Sequence, residues 1–179
     1  MSGKKYYLTP NEFSVISAGF GIPAVYGLNR LDGQMDSKKI CIALHNMYVN
    51  RLIENKDTKE FIADDEITEI MRIIKAAKQV IIIEHSIADR IGTICCYYGK
   101  LWAVIEENFS NPDKIIMYCT DWDELVRNIA ETYPDGAMKI VLLDMRDGHI
   151  LDEDIILPDK QELNKKSVLD KYYKGVTGL

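Results

Sequence analysis

The chain has few residues that form disulfides or bind metals. It contains only four cysteines and three histidines. Disulfide scaffolds use cysteine more heavily, and a zinc site would show closely paired ligands such as Cys-x-x-Cys, which do not occur here. Cys95 and Cys96 are adjacent, so a strand would point them to opposite faces of its sheet. We therefore expect no metal and no cofactor, and we expect Cys41, Cys95, Cys96 and Cys119 to be small core or strand residues.

Long hydrophobic runs are missing too. Aliphatic runs such as Val80 to Ile83 are far shorter than the roughly 20 residues that a membrane-spanning helix requires. The N-terminal segment MSGKKYYLTPNEF turns polar where a signal peptide would need its apolar stretch. We expect a cytoplasmic protein without membrane insertion.

The sequence contains fewer basic than acidic residues. The 22 Lys and Arg residues stand against 28 Asp and Glu, which gives a formal net charge of -6. Nucleic-acid phosphates would be repelled, since the sequence contains no concentrated basic segment. We expect no nucleic-acid partner. A hydrophobic fraction of 47% indicates a folded protein, and the length suits one domain over residues 1–179.

Recognisable catalytic motifs are also absent from the sequence. His45, His85 and His149 lie in unrelated contexts, and adjacent Glu84 and His85 would face opposite sides of a strand. The acidic stretch DMRDGHILDED lacks the spacing of an EF-hand loop. No nucleophile elbow, kinase or metalloprotease signature occurs. We expect a non-enzymatic protein with no small-molecule substrate and no catalytic, cofactor-binding or metal-binding residues.

Glycine is concentrated in SAGFGIPAVYGL, residues 17–28, which invites comparison with a phosphate-binding loop. Such a loop must follow a strand and open a helix. This one instead follows a predicted helix, with Thr9 as N-cap, Pro10 in its first turn and Glu12 completing a capping box. We predict that Gly19 ends this helix with a positive φ, that Pro23 prevents its resumption, and that the stretch is a structural connector.

Four further helices are predicted from apolar residues at helical spacing. One begins at Asp36 or Ser37, and it carries Ile40, Leu44, Met47 and Tyr48 on one face. The next is capped by Asp64 or Asp65, and its expected core stripe consists of Ile67, Ile70, Met71, Ile74 and Ala77.

The last two predicted helices lie in the C-terminal third. One is capped by Thr120 or Asp121, carries Leu125 and Ile129 on one face, and stops at Pro134. The other covers DKQELNKKSVLDKYY and is closed by Gly175.

Strands are predicted where β-branched and aromatic residues recur between short breaks. Four consecutive antiparallel strands lie between Gln79 and Cys119, and Gly99-Lys100 fits a two-residue type II′ turn. A C-terminal hairpin turns around Asp147-Gly148, and a small hairpin is expected between residues 52 and 62. This order predicts an α+β domain, in which helices flank a mainly antiparallel sheet made of a four-strand meander and the C-terminal hairpin.

Aromatic residues cluster near one turn and in the last helix. Side chains close to a hairpin tip are harder to bury than those at a sheet centre, so some aromatic area should remain open to a partner. The predicted partner-binding residues are Tyr97, Tyr98, Leu101, Trp102, Tyr172 and Tyr173. Aromatic residues also fill cores, so burial of Trp102 is the alternative.

Four segments together resemble the EspG family: YYLTPNEFSVISAGFGI, IALHNMYVNRLI, EITEIMRIIKAAKQVIII and CCYYGKLWAVIEENFSNPDKIIM. The resemblance runs from about Tyr6 to Pro134 and lies in the order of the elements and in the opening Tyr-Leu-Thr pattern. Members of that family are cytoplasmic chaperones of type VII secretion. The resemblance implies an EspG-like fold and a protein client, either a toxin or a WXG- or LXG-type effector held before export.

Two other functions stay open at the level of sequence. One is a cytoplasmic immunity protein that neutralises a toxin. The other is a small enzyme or nucleotide-binding sensor with an unfamiliar site.

Overall fold

The fold is taken from a computed structural model, described over residues 3–22, 25–28, 35–57, 60–87, 90–107, 113–132, 137–157 and 162–178. Within these ranges the chain has an α+β fold with a seven-stranded antiparallel sheet, a separate two-stranded sheet and five helices. None of the helices in these ranges is both long and apolar enough to cross a membrane.

The elements follow one another along the chain as β1 (Tyr6–Leu8), α1 (Pro10–Gly19), α2 (Ser37–Val49), β2 (Ile53–Asp57), β3 (Glu60–Ala63), α3 (Asp65–Ala76), β4 (Gln79–Ile87), β5 (Arg90–Tyr98), β6 (Trp102–Glu107), β7 (Ile115–Thr120), α4 (Trp122–Thr132), β8 (Ala137–Asp144), β9 (Ile150–Ile156) and α5 (Glu162–Thr177). The large sheet has the strand order β1-β7-β6-β5-β4-β8-β9. The predicted meander β4–β7, the hairpin β8–β9 and the small hairpin β2–β3 are confirmed. Strand β1, which pairs with β7, was not predicted.

Each face of the large sheet carries its own core, because alternate strand residues point to opposite sides. On one face, α1 and α3 contribute residues such as Phe13 and Ile70. On the other face, α4 and α5 contribute residues such as Leu125 and Leu169. Cys95 belongs to the first core and Cys96 to the second, as their adjacency predicts. The result is a three-layer arrangement with the sheet in the middle.

Helix α1 begins as predicted and ends at Gly19 as predicted, but its left-handed residue comes two positions later than predicted. The Thr9 hydroxyl accepts a hydrogen bond from the Glu12 amide, and the Glu12 carboxylate accepts one from the Thr9 amide, which completes the capping box. Gly19 is still helical, and the left-handed residue is Gly21, with φ of 68°. The amides of Gly21 and Ile22 bond back to the carbonyls of Ala18 and Ser17, which is a Schellman motif. The positive φ predicted for Gly19 is therefore wrong, although the helix does end there, and Pro23 lies outside the described residues.

The described part of the glycine-rich stretch packs onto the sheet as a connector. Gly27 has a φ of 89°, and a Cβ atom there would lie 2.8 Å from the Cys95 sulfur. The Cys95 thiol donates a hydrogen bond to the Tyr26 carbonyl at 3.2 Å. Glycine is required here for backbone conformation and for close approach to the core, which is a structural role.

Two further boundaries differ from the predictions. Tyr98 pairs directly with Trp102, so three residues connect β5 to β6, and Gly99 does not have the positive φ of a type II′ turn. Helix α5 continues through Gly175 to Thr177, and the residue with positive φ is Gly178. The predicted stop of α4 at Pro134 lies outside the described residues.

Candidate partner-binding surfaces

Helix α2 leaves much of its apolar surface in contact with solvent. Its predicted apolar face is only partly buried, because Met47 is inaccessible whereas Ile40 is 36% and Tyr48 54% exposed. The physical reason is position: α2 packs against α1 and β2 at the outside of the helical layer. Cys41 is also exposed on this helix, so the expectation of a core or strand position is wrong for that cysteine.

The ends of α2 are well defined despite its exposure. The Asp36 carboxylate accepts a hydrogen bond from the Lys39 amide at 2.8 Å and caps the first turn. At the other end, Arg51 adopts a left-handed φ of 56°, and the Leu52 amide bonds back to the Met47 carbonyl. This Schellman motif directs the chain from α2 into strand β2.

The β2–β3 hairpin extends the exposed apolar area beside α2. Phe61 is 48% and Ile62 43% exposed on β3. Together with Leu44 and Met47 they line a groove of about 470 Å³ that α1 closes on its other side. We call the set Ile40, Leu44, Tyr48, Phe61 and Ile62 the α2–hairpin surface. Sequence reasoning missed it, because helical periodicity identifies an apolar stripe without showing which element covers it.

The residues predicted from aromatic clustering are partly brought together. The Trp102 ring lies 5.2 Å from that of Tyr98, 4.8 Å from that of Trp122 and 6.2 Å from that of Tyr173, measured between centroids. These rings join the β5–β6 turn to α4 and α5. The cluster is anchored by a hydrogen bond of 3.1 Å from the Trp122 indole to the Asp170 carboxylate.

Three of these six predicted residues are not accessible. Trp102 is only 2% exposed, and Tyr97 and Tyr172 are fully buried. The expectation that aromatic area around the turn stays open is therefore wrong for Trp102, because α4 and α5 cover it. Tyr98 and Leu101 remain exposed, and Tyr173 is half-buried. That these last three contact a partner stays a prediction.

Tyr172 has a structural role instead. Its hydroxyl donates to the Asp154 carboxylate at 3.0 Å and lies 3.3 Å from the Ile140 carbonyl. Burial, then the hydrogen bond to Asp154, raises the pKa of Tyr172 well above its usual value. Lys171 pairs with both Asp152 and Asp154 at 2.7 Å. These contacts fasten α5 to the edge strand β9.

A second groove, of about 1100 Å³, lies between α4 and α5 on the opposite side of the sheet from α2. Val126 and Ala130 form apolar parts of its lining, and its charged residues are Asp123, Arg127, Lys166, Asp170, Lys171 and Lys174. Four of these six are basic, although the whole chain is acidic.

Buried titratable groups occur on the α4–α5 side of the sheet. His85 is 2% exposed, and desolvation lowers its pKa to about 4, so the imidazole is neutral at physiological pH. Desolvation also raises the pKa of Glu106, although Lys5 and the Tyr118 hydroxyl act in the opposite direction. Glu84 and His85 face opposite sides, as predicted from their adjacency. Across the described ranges, no three His, Cys, Asp or Glu side chains are placed to share a metal ion.

Sequence comparison does not assign the chain to a family. No protein-family model and no curated protein matches the sequence. The EspG resemblance therefore stays a prediction.

Proposed function

We propose that the protein is a non-enzymatic, cytoplasmic chaperone or targeting factor that binds a type VII secretion substrate before export. The observation that carries the proposal is the α2–hairpin surface. Large apolar side chains on a helix that is well capped at both ends are exposed beside a groove, and exposed apolar area of this kind is typical of a protein-binding site.

The order of elements supports the more specific, EspG-like part of the proposal. The segments on which the resemblance rests correspond to α1, to α2 followed by the β2–β3 hairpin, to α3 followed by β4, and to the meander through β7. The α2–hairpin surface lies within this part of the chain. A client bound there would contact the helix and the hairpin together.

The binding energy would come from the apolar side chains. A few aromatic or aliphatic anchors normally dominate an interface, and Tyr48 and Phe61 are the exposed aromatic candidates here. The net charge of -6 would mainly keep the unbound protein soluble.

A co-purification experiment, in which the two parts of a client are expressed separately, tests this function. The protein is co-expressed with a WXG- or LXG-type effector from its own genome, either as the N-terminal targeting half or as the isolated toxin domain. A chaperone binds the targeting half and leaves toxin activity unchanged. Binding to the toxin domain with loss of its activity would instead indicate an immunity protein, and binding to neither half would contradict both functions.

A further inference from the structure

We propose that the groove between α4 and α5 binds an acidic amphipathic α-helix of a partner protein. This surface lies on the opposite face of the sheet from the α2–hairpin surface, so the proposal does not depend on the client-binding function. The charges of the groove, its shape and its length each favour this partner.

The charge of the groove favours an anionic partner. Arg127, Lys166, Lys171 and Lys174 line it together with only two carboxylates, those of Asp123 and Asp170. Asp170 already accepts a hydrogen bond from Trp122. Lys171 is held by Asp152 and Asp154, and Arg127 pairs with Glu124 at 3.9 Å. In the described part of the chain, no ion pair involves Lys166 or Lys174, and both side chains are exposed. These two lysines are available to pair with carboxylates of a partner.

The shape of the groove favours a helix rather than a strand. Its walls are two helices whose backbone groups bond within each helix, so an added strand would find no unpaired amides or carbonyls. A helix offers side chains alone, and its apolar residues can pack on Val126 and Ala130, which form apolar parts of the lining. This is the mode in which an amphipathic helix lies in a groove.

The dimensions agree with about two to three turns of helix. One turn of helix is about 5.4 Å long and roughly 10 Å across. The groove of about 1100 Å³ is open to solvent, so the spacing of its charges sets the length of the segment. Lys166 and Lys174 are eight residues apart, which is about 12 Å along α5. The partner helix is expected to carry two acidic residues seven or eight positions apart beside an apolar stripe.

Stapled helical peptides test this inference directly, because unconstrained short helices are marginal in water. Three labelled peptides of about 15 residues share one apolar stripe and carry Glu, Gln or Lys at the two charged positions. Their binding to the full chain is measured by fluorescence anisotropy at about 50 and 500 mM salt. We expect the Glu peptide to bind at least about tenfold more tightly than the Gln peptide at low salt, and to lose most of this advantage at high salt.

A pair of charge-matched variants assigns the binding to the groove. Lys166→Glu with Lys174→Glu should weaken binding of the Glu peptide at least about tenfold and make the Lys peptide the preferred ligand. Lys38→Glu with Lys100→Glu changes the net charge equally at exposed lysines outside the groove and should leave the affinities unchanged. Thermal melts establish that both variants are folded.

Three results would overturn the proposal: no binding of the Glu peptide, equal binding of the Glu and Gln peptides, or an equal loss in the control variant. A single-stranded oligonucleotide that competes with the Glu peptide at similar concentration would also overturn it, because the groove would then be a general polyanion site.

Discussion

At the scale of single residues, Trp102 shows how burial changes the interpretation of an aromatic side chain. Its ring lies between the β5–β6 turn and the helices α4 and α5, in contact with Trp122. Replacing a buried tryptophan by alanine removes packing and leaves a cavity. We expect Trp102→Ala to lower the free energy of unfolding by about 3 to 5 kcal/mol.

Chemical denaturation measures this loss, and Tyr98→Ala is the matched control. Tyr98 belongs to the same ring cluster but is 40% exposed, so its loss should be clearly smaller. A Trp102→Ala protein as stable as Tyr98→Ala would show that the indole does not contribute to the core.

Burial of His85 predicts that the protein loses stability in acid. Desolvation lowers its pKa to about 4 in the folded protein, whereas an unfolded chain has a histidine pKa near 6.5. Between these two values the unfolded state binds the proton more strongly. Stability is therefore lost as the pH falls from about 6.5 to about 4, by at most about 3 kcal/mol from this group.

Comparing unfolding free energies of wild type and His85→Gln across this range isolates the contribution of His85. Carboxylate titration affects both proteins, whereas only wild type contains His85. The difference in unfolding free energy between wild type and His85→Gln should therefore shrink or reverse as the pH falls. A difference that is constant between pH 7 and 4 would contradict burial of a neutral imidazole.

At the scale of elements, the left-handed residue after α2 offers a test of helix termination. Arg51 occupies a position where a Cβ atom is unfavourable and where glycine is the usual residue. Arg51→Gly should stabilise the protein by about 0.5 to 1 kcal/mol, because relief of backbone strain exceeds the extra entropy of the unfolded glycine.

The control for this change is Arg51→Ala, which removes the same side chain but keeps the Cβ atom. In chemical denaturation, only Arg51→Gly should have a higher free energy of unfolding than wild type. Equal stability of the two variants would mean that the left-handed conformation costs little at this site.

Elements with local signals were predictable, and those defined by distant partners were not. The capping box of α1 and the β-branched residues of the meander are encoded within a few residues of one another. Strand β1 has only three residues, and its pairing partner β7 lies more than a hundred residues later. The same limit applies to the candidate surfaces: the apolar stripe of α2 and the aromatic residues near Trp102 were visible in the sequence. Whether other elements cover these side chains depends on tertiary packing, and the local sequence does not show it.

At the scale of the whole molecule, the three layers separate two surfaces of different chemistry. The layer of α1–α3 exposes apolar side chains at its outer helix, and the layer of α4 and α5 carries a basic groove. The proposed client and the proposed helical partner would bind on opposite faces, so one molecule would hold both at once. The two surfaces can be disabled separately, since no residue is common to them.

The affinity of Tyr48→Ala for a type VII client tests the central claim most directly. Tyr48 is 54% exposed on α2, so its removal should leave the thermal melt near that of wild type. Ile155→Ala, at a 62% exposed apolar residue on the edge strand β9, is the control. Measured by calorimetric titration with the targeting half of the effector, Tyr48→Ala should lose at least about 2 kcal/mol of binding free energy, roughly thirtyfold in Kd. The control should bind like wild type. Undiminished client binding by a folded Tyr48→Ala protein, or an equal loss in Ile155→Ala, would contradict the assignment of the client site to the α2–hairpin surface.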